Sequence, residues 1–139
     1  MSCYLIVANR ASFSSVQLAQ SLVLTLNETS VKLLYRAIKP LIRNDQHGTG
    51  VQKRAYKVLL GLCENHAAII CDDGNLKELI DLMVDSLMTC HVSARNMRLK
   101  CLTHVVSCFS SDNKQQQDNI PNIIGEVMLC LKDSNGKTR

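Results

Sequence analysis

The chain has 139 residues, of which 46% are hydrophobic and 20% are charged, with two prolines and six glycines. This composition excludes a disordered chain and allows one compact domain or a few helical repeats. The net charge of +4 permits contact with RNA or an acidic partner without requiring it. No uninterrupted stretch reaches the roughly 20 apolar residues of a membrane span, so we expect no membrane partner.

Six amphipathic helices are predicted along the chain. The first covers residues 14–26. The second starts where Thr29 or Ser30 can cap it by accepting a backbone N–H bond, and it runs to about Arg43. Pro40 lies inside this second helix, and we expect it to kink the helix or to end its regular part.

The third and fourth helices are predicted at residues 51–65 and 76–89, joined by a longer connection. Thr49 and Gln52 have capping-box spacing ahead of the third helix. Its inward side is predicted to hold Val51, Ala55, Val58, Leu59 and Leu62. The fourth helix carries a clean stripe of apolar residues at i, i+3, i+4 and i+7.

The fifth and sixth helices complete the pattern. Ser93 can cap the fifth, which is predicted at residues 94–110. The sixth starts near Pro121, a residue favoured in a first helical turn, and ends near Lys132.

An internal echo at a spacing of 44 residues indicates the fold. Six apolar residues of the fourth helix recur in the sixth: Leu76, Leu79, Ile80, Met83, Val84 and Leu87 as Ile120, Ile123, Ile124, Val127, Met128 and Leu131. A second set relates the third helix to the fifth: Arg54, Ala55, Val58 and Leu62 as Arg98, Leu99, Leu102 and Val106. A period in the forties with two helices per unit is typical of HEAT or armadillo arrays. We therefore predict an all-α, HEAT/armadillo-like α-solenoid of about three antiparallel helix hairpins.

The predicted repeats cover approximately residues 14–43, 50–89 and 93–132 of a single segment, residues 1–139. Residues 135–139 resemble the lead into another helix, and no polar capping repeat is evident, so we expect part of a longer array. A closed six-helix bundle is the alternative fold, but it has no need of internal repetition.

The chain offers weak candidates for a metal site or a catalytic site. Cys101, His104 and Cys108 share one helix face, but a structural zinc site needs four ligands, and the seven cysteines are expected to be reduced core residues. Cys63 and His66 lie three apart without a third group to orient them. We therefore predict no enzyme, no metal, no cofactor and no small-molecule substrate. An acidic stripe on the fourth helix is expected to be a solvated face: Glu78, Asp81 and Asp85.

Basic residues are the stronger candidates for binding. The second helix carries a long basic stripe, Lys32, Arg36, Lys39 and Arg43. Two further groups begin the third and fifth helices: Lys53, Arg54 and Lys57, and then Arg95, Arg98 and Lys100. Stacked repeats would set these two groups side by side as a ridge that could hold RNA phosphates. The alternative is an ordinary solvated face, with long side chains covering apolar surface.

Three segments resemble a known family. Residues 51–59, 98–106 and 120–130 are similar, in order and spacing, to the ribosomal RNA-processing protein twelve (Rrp-twelve-like) family. Residues 33–35 and 39–41 fit the helix ahead of them, so that the resemblance covers about residues 31–139.

The resemblance implies a large HEAT-repeat protein of the nucleus and nucleolus. Its expected role is pre-ribosomal RNA processing and the maturation and nuclear export of ribosomal subunits, through contact with RNA, pre-ribosomal particles and other proteins. The family is not enzymatic, and five basic residues match its pattern: Lys53, Arg54, Lys57, Arg98 and Lys100. The chain departs from the family in its short length. A transport-receptor-like or other protein-binding solenoid without an RNA role is the alternative.

Overall fold

A computed structural model of the chain describes residue 18, residues 21–43 and residues 49–139. The regular structure in these ranges is entirely helical. Its α-helices are α1 (Glu28–Arg43), α2 (Thr49–Asn65), α3 (Ala67–Ile70), α4 (Asp73–Asp85), α5 (Arg95–Ser107), α6 (Lys114–Gln117) and α7 (Ile120–Cys130). Two 3-10 turns lie at Val23–Thr25 and Val92–Ala94. Most of the predicted first helix, residues 14–26, lies outside the described residues.

Helix α2 lies at the centre of the fold. It packs against α1 on one side and against α5 on the other, and α4 contacts both α1 and α5. The predicted inward face of α2 is confirmed, because all five of its residues are buried: Val51, Ala55, Val58, Leu59 and Leu62. Burial of such apolar faces contributes about 25 cal/mol for each Å² removed from water.

The long helices form two layers. One layer contains α2 and α5, and the other contains α1, α4 and α7. This is the arrangement of an all-α, HEAT-like solenoid, so the predicted fold class is confirmed. The approximate repeat limits and the longer array stay predictions. None of the described helices is both long enough and apolar enough to cross a membrane.

Helix α1 contains Pro40 and ends at Arg43, where the sequence predicted its end, and the kink expected at Pro40 stays a prediction. Other local predictions are wrong. Asn27, rather than Thr29 or Ser30, caps α1, because its side-chain oxygen accepts the Ser30 N–H at 2.9 Å. Helix α4 ends at Asp85 instead of continuing to residue 89.

Gln52 also differs from its predicted role as a capping residue. It is buried, and its amide nitrogen donates to the carbonyl oxygens of Ile42 at 3.0 Å and Thr89 at 2.9 Å. Its amide oxygen accepts the His91 N–H at 2.8 Å. Gln52 therefore ties the end of α1 to the segment that joins α4 to α5, two places where backbone groups would otherwise be buried without partners.

Candidate nucleic-acid interface

Two residues of the predicted basic stripe join α1 to α4. Lys39 forms an ion pair with Glu78, and Arg43 reaches Asp85 at 3.5 Å. The acidic stripe of α4 therefore lies opposite the basic stripe of α1, and it is not simply a solvated face. Much of the positive charge on α1 is neutralised within the chain.

The other two stripe residues, Lys32 and Arg36, face solvent. Lys32 forms an i,i+4 ion pair with Glu28 at 2.5 Å, and this hydrogen bond, together with the charge of Lys32, lowers the pKa of the Glu28 carboxyl. Arg36 is exposed and forms no ion pair with a residue that the structure describes.

Arg98 lies inside the protein, although the sequence predicted it on an exposed ridge. It is only 1% exposed, and its Nε and Nη2 atoms donate to both carboxylate oxygens of Glu126 at 2.5 and 3.0 Å. Nη1 also donates to the Tyr56 hydroxyl at 3.0 Å and to the Ser86 hydroxyl at 2.9 Å. Nη2 donates to the Met83 carbonyl at 2.5 Å. The guanidinium is fully engaged and cannot reach an RNA phosphate.

The buried Arg98 remains charged. Burial by itself would lower the pKa of Arg98, but the hydrogen bonds and the negative charge of Glu126 outweigh burial and raise this pKa. Burial raises the pKa of the neighbouring Tyr56 phenol to about 12 against the opposing charge of Arg98, so Tyr56 stays neutral. The result is a charged pair held by neutral polar groups, which is the arrangement that a buried ion pair needs.

Arg95, which was also predicted on the exposed ridge, forms an ion pair with Asp133 just after α7. Its guanidinium donates to the Asp133 carboxylate at 2.8 Å, and the Asp133 carboxylate also accepts the Asn135 N–H at 2.8 Å. The Asn135 N–H and then Arg95 lower the pKa of Asp133. Arg95 therefore stabilises the turn after α7 and is not part of a free basic surface.

Four predicted basic residues remain as a candidate interface. Lys57 of α2 and Met97 of α5 line one shallow cleft of about 330 Å³. Met97, Lys100 and His104 share one face of α5, and His104 lies 3.8 Å from Glu64 of α2. Lys100 therefore lies along the same seam between α2 and α5 as Lys57.

We call the set Lys53, Arg54, Lys57 and Lys100 the basic surface. Its three lysines are partly or fully exposed, and none forms an ion pair with a described residue. Glu64 is the nearby acidic residue, at the far end of the seam. Lys53 and Lys57 of α2 and Lys100 of α5 thus place several positive charges along one side of the fold.

The candidate metal and thiol residues do not converge within the part of the chain that the structure describes. Cys101 is buried and its thiol donates to the Tyr56 carbonyl at 3.5 Å, whereas His104 faces the α2 seam. Burial raises the pKa of the Cys63 thiol to about 12, and His66 Nε2 bonds the Val23 carbonyl at 2.6 Å. No group of three potential metal ligands occurs among the described residues.

Sequence reasoning missed Glu126. It lies within an apolar helix, where a single buried carboxylate needs a cation. The single acidic residue between Gly125 and Val127, in a helix that is otherwise apolar, is the sequence feature that could have predicted a buried ion pair.

The fold and the basic surface define a class of protein: a HEAT-like helical-repeat protein with a positively charged seam. No family model matches the chain, and no solved structure does. Curated relatives do match. Human RRP12-like protein is 33% identical over 122 residues, which cover 86% of this chain and 9% of that protein. Chicken RRP12-like protein is 33% identical over 111 residues, covering 77% of this chain and 8% of that protein.

A more distant relative agrees. The ribosomal RNA-processing protein 12 of Saccharomyces cerevisiae is 30% identical over 89 residues, covering 64% of this chain and 7% of that protein. The chain belongs to the RRP12-like family. It spans less than a tenth of the length of these relatives.

Proposed function

We propose that the chain acts in ribosome biogenesis as a non-enzymatic scaffold segment that binds RNA through the basic surface. The yeast relative is named for ribosomal RNA processing, and this name supports the process. Pre-ribosomal particles and their proteins are the proposed partners, in the nucleus and nucleolus. Nuclear export of ribosomal subunits and a place within a longer helical array belong to the same proposal.

One observation carries the RNA-binding step: the three lysines of the basic surface form no ion pair with a described residue, whereas three of the four basic residues of the α1 stripe do. Lys39 and Arg43 face carboxylates of α4, but Lys53, Lys57 and Lys100 have no such partner among the described residues. Lysines placed in this way can neutralise phosphates and release the counterions condensed on RNA. The chain has no tryptophan, two phenylalanines and three tyrosines, of which Tyr35 and Tyr56 are buried, so base stacking contributes little and binding should tolerate many sequences.

The test is fluorescence anisotropy with a short labelled RNA hairpin at low salt. We expect the wild-type chain to bind and Lys53→Glu/Lys57→Glu to lose about tenfold or more in affinity, because two phosphate contacts become repulsive. The matched control is Lys114→Glu/Lys132→Glu, which makes the same charge change at exposed lysines of α6 and of the turn after α7. Equal losses in both variants would mean that only net charge matters and that the basic surface is not the site.

A protein-binding solenoid without an RNA role is the second candidate. The observation that favours it is an apolar groove of about 610 Å³ between α4 and α7, lined by residues such as Val84, Leu87 and Leu129. Absence of RNA binding by the wild-type chain at low salt would reject the first function in favour of the second.

A further inference from the structure

Three thiols lie close together where α2, α3 and α5 end. Cys63 lies in the last turn of α2, Cys71 directly follows α3, and Cys108 directly follows α5. All three are free thiols that belong to, or pack against, the same hydrophobic core. Neither the basic surface nor the buried ion pair makes use of them.

Helices α2 and α5 run side by side in the same direction. Lys57 and Met97, which line one cleft, are 40 residues apart in the sequence. Glu64 and His104, further along the same two helices, lie 3.8 Å from each other and are also 40 residues apart. Because the offset is constant, equal steps along α2 and α5 lead from one pair of neighbours to the next.

This register places Cys108 beside Cys63. The Cys101 thiol of α5 donates to the Tyr56 carbonyl of α2 at 3.5 Å, and these residues are 45 apart. A step of two helical turns along both helices leads from that contact to Cys108 and Cys63, which have the same offset. Burial, and then the neighbouring Cys108, raise the pKa of the Cys63 thiol to about 12.

Cys71 approaches Cys108 from the end of α3. The Cys71 N–H donates to the Ala67 carbonyl at 2.8 Å, which fixes the residue at that helix end. Its thiol lies within hydrogen-bonding range of the Cys108 thiol, and burial and then this contact raise the pKa of Cys71. Cys71 therefore keeps its proton and donates it towards the sulfur of Cys108.

Access from solvent separates this pair from the third thiol. Cys71 and Cys108 are both partly exposed, whereas Cys63 is only 2% exposed. A small reagent can therefore reach the pair but not Cys63. Because Cys71 keeps its proton, Cys108 is the thiol of the pair that attacks first.

We propose that Cys71 and Cys108 form a disulfide by exchange with a low-molecular-weight disulfide such as oxidised glutathione. Cys108 loses its proton to solvent and attacks one sulfur of the reagent, so that a mixed disulfide forms and one reagent thiolate leaves. Cys71 then loses its proton, attacks the sulfur of Cys108 and releases the second thiolate. The reagent is thereby reduced to two thiols, and the protein pair is oxidised.

The new bond would connect the two layers of the fold. Cys71 lies just before α4, which belongs to one layer, and Cys108 lies just after α5, which belongs to the other. The bond closes a long chain segment that contains both helices, and closing such a segment restricts the unfolded chain. The pair is thus a modification site that holds α4 and α5 together when a small disulfide is present.

Mass spectrometry of the full chain after incubation with oxidised glutathione tests this proposal. The parent chain carries Cys3→Ser, because Cys3 lies outside the described residues. We expect the folded chain to lose two thiols without retaining glutathione. Digestion after Glu64 separates Cys63 from Cys71, and the peptides should show Cys71 bonded to Cys108. The melting temperature should rise by about 5 °C or more and return to its first value after reduction with dithiothreitol.

Single substitutions test the order of the two steps. Cys71→Ser removes the second thiol, so glutathione should stay on Cys108. Cys108→Ser removes the first attacking thiol, and Cys71 should then react roughly tenfold or more slowly. Cys90→Ser is the matched control. Cys90 is also partly exposed, but its thiol donates to the His91 carbonyl, and this variant should form the disulfide at the parental rate.

Three results would overturn the proposal: a bond from Cys108 to Cys63, glutathione that stays on Cys108 although Cys71 is present, or a pair that does not react. Circular dichroism checks that each variant keeps its helix content. If a serine variant does not, the peptide map of the parent chain decides, since it needs neither thiol of the pair to be replaced.

Discussion

The guanidinium of Arg98 and the carboxylate of Glu126 meet inside the protein, with Nε of Arg98 2.5 Å from Oε1 of Glu126. This pair joins α5 to α7, and the same guanidinium reaches the Met83 carbonyl on α4. Because Ile124, Val127 and Met128 of α7 are exposed, the pair is a principal attachment of α7 to the rest of the described fold.

We predict that Arg98→Ala destabilises the protein by about 3–5 kcal/mol, because it leaves the Glu126 carboxylate buried without a cation. Arg98→Lys should recover little of this loss, since an ammonium cannot bond both carboxylate oxygens and the other acceptors at once. Urea unfolding followed by circular dichroism gives the free energy of unfolding for each variant.

Removing both charges provides the control. Arg98→Met/Glu126→Leu should be close to wild-type stability, because no unpaired charge remains in the interior. A loss below about 1 kcal/mol for Arg98→Ala would show instead that the pair is solvated, as surface pairs are.

Substitution of Gln52 tests the tie between α1 and the segment after α4. Gln52→Leu should cost about 2–3 kcal/mol, because it leaves the Ile42 and Thr89 carbonyls and the His91 N–H without partners. Gln52→Glu should cost more, since a carboxylate faces two carbonyl oxygens. Thermal unfolding of both variants measures this order. The capping role that the sequence suggested predicts a loss of only about 1 kcal/mol or less for Gln52→Leu.

Asp133 makes the free energy of unfolding depend on pH. The Asn135 N–H and Arg95 lower the pKa of Asp133 in the folded protein, below the ordinary value of about 4. The stabilisation is therefore fully present above the unfolded-state pKa, and it is lost as the pH falls through the folded-state pKa. We expect Asp133→Asn to unfold at lower urea than the wild type at pH 7, and the difference to shrink below about pH 4. A difference that does not change with pH would contradict this account.

Helix periodicity predicted the packing faces well, and charge positions poorly. The inward side of α2 follows from a spacing of 3.6 residues, and all five residues named from it are buried. The 44-residue echo likewise indicated the all-α fold, because packing residues recur wherever the same helix pair recurs.

The position of individual charges depends on how distant helices align, which a single sequence does not reveal. Arg98 was grouped with its basic neighbours, yet it lies on the buried stripe of α5 with Ala94, Cys101 and Val105. The helical spacing of these residues indicates that they share the buried face of α5. Arg98 can remain charged on this face because the buried carboxylate of Glu126 pairs with it. The pairing of Lys39 with Glu78 likewise required the contact between α1 and α4.

The salt dependence of RNA affinity tests the central claim most directly. If Lys57 and Lys100 each neutralise a phosphate, Lys57→Ala/Lys100→Ala should reduce the slope of log Kobs against log salt concentration by about 1.4–1.8. Lys39→Ala/Arg43→Ala removes the same charge from the neutralised stripe on α1 and should leave the slope unchanged. Equal slopes for the wild type and both variants would contradict the assignment of RNA binding to the basic surface.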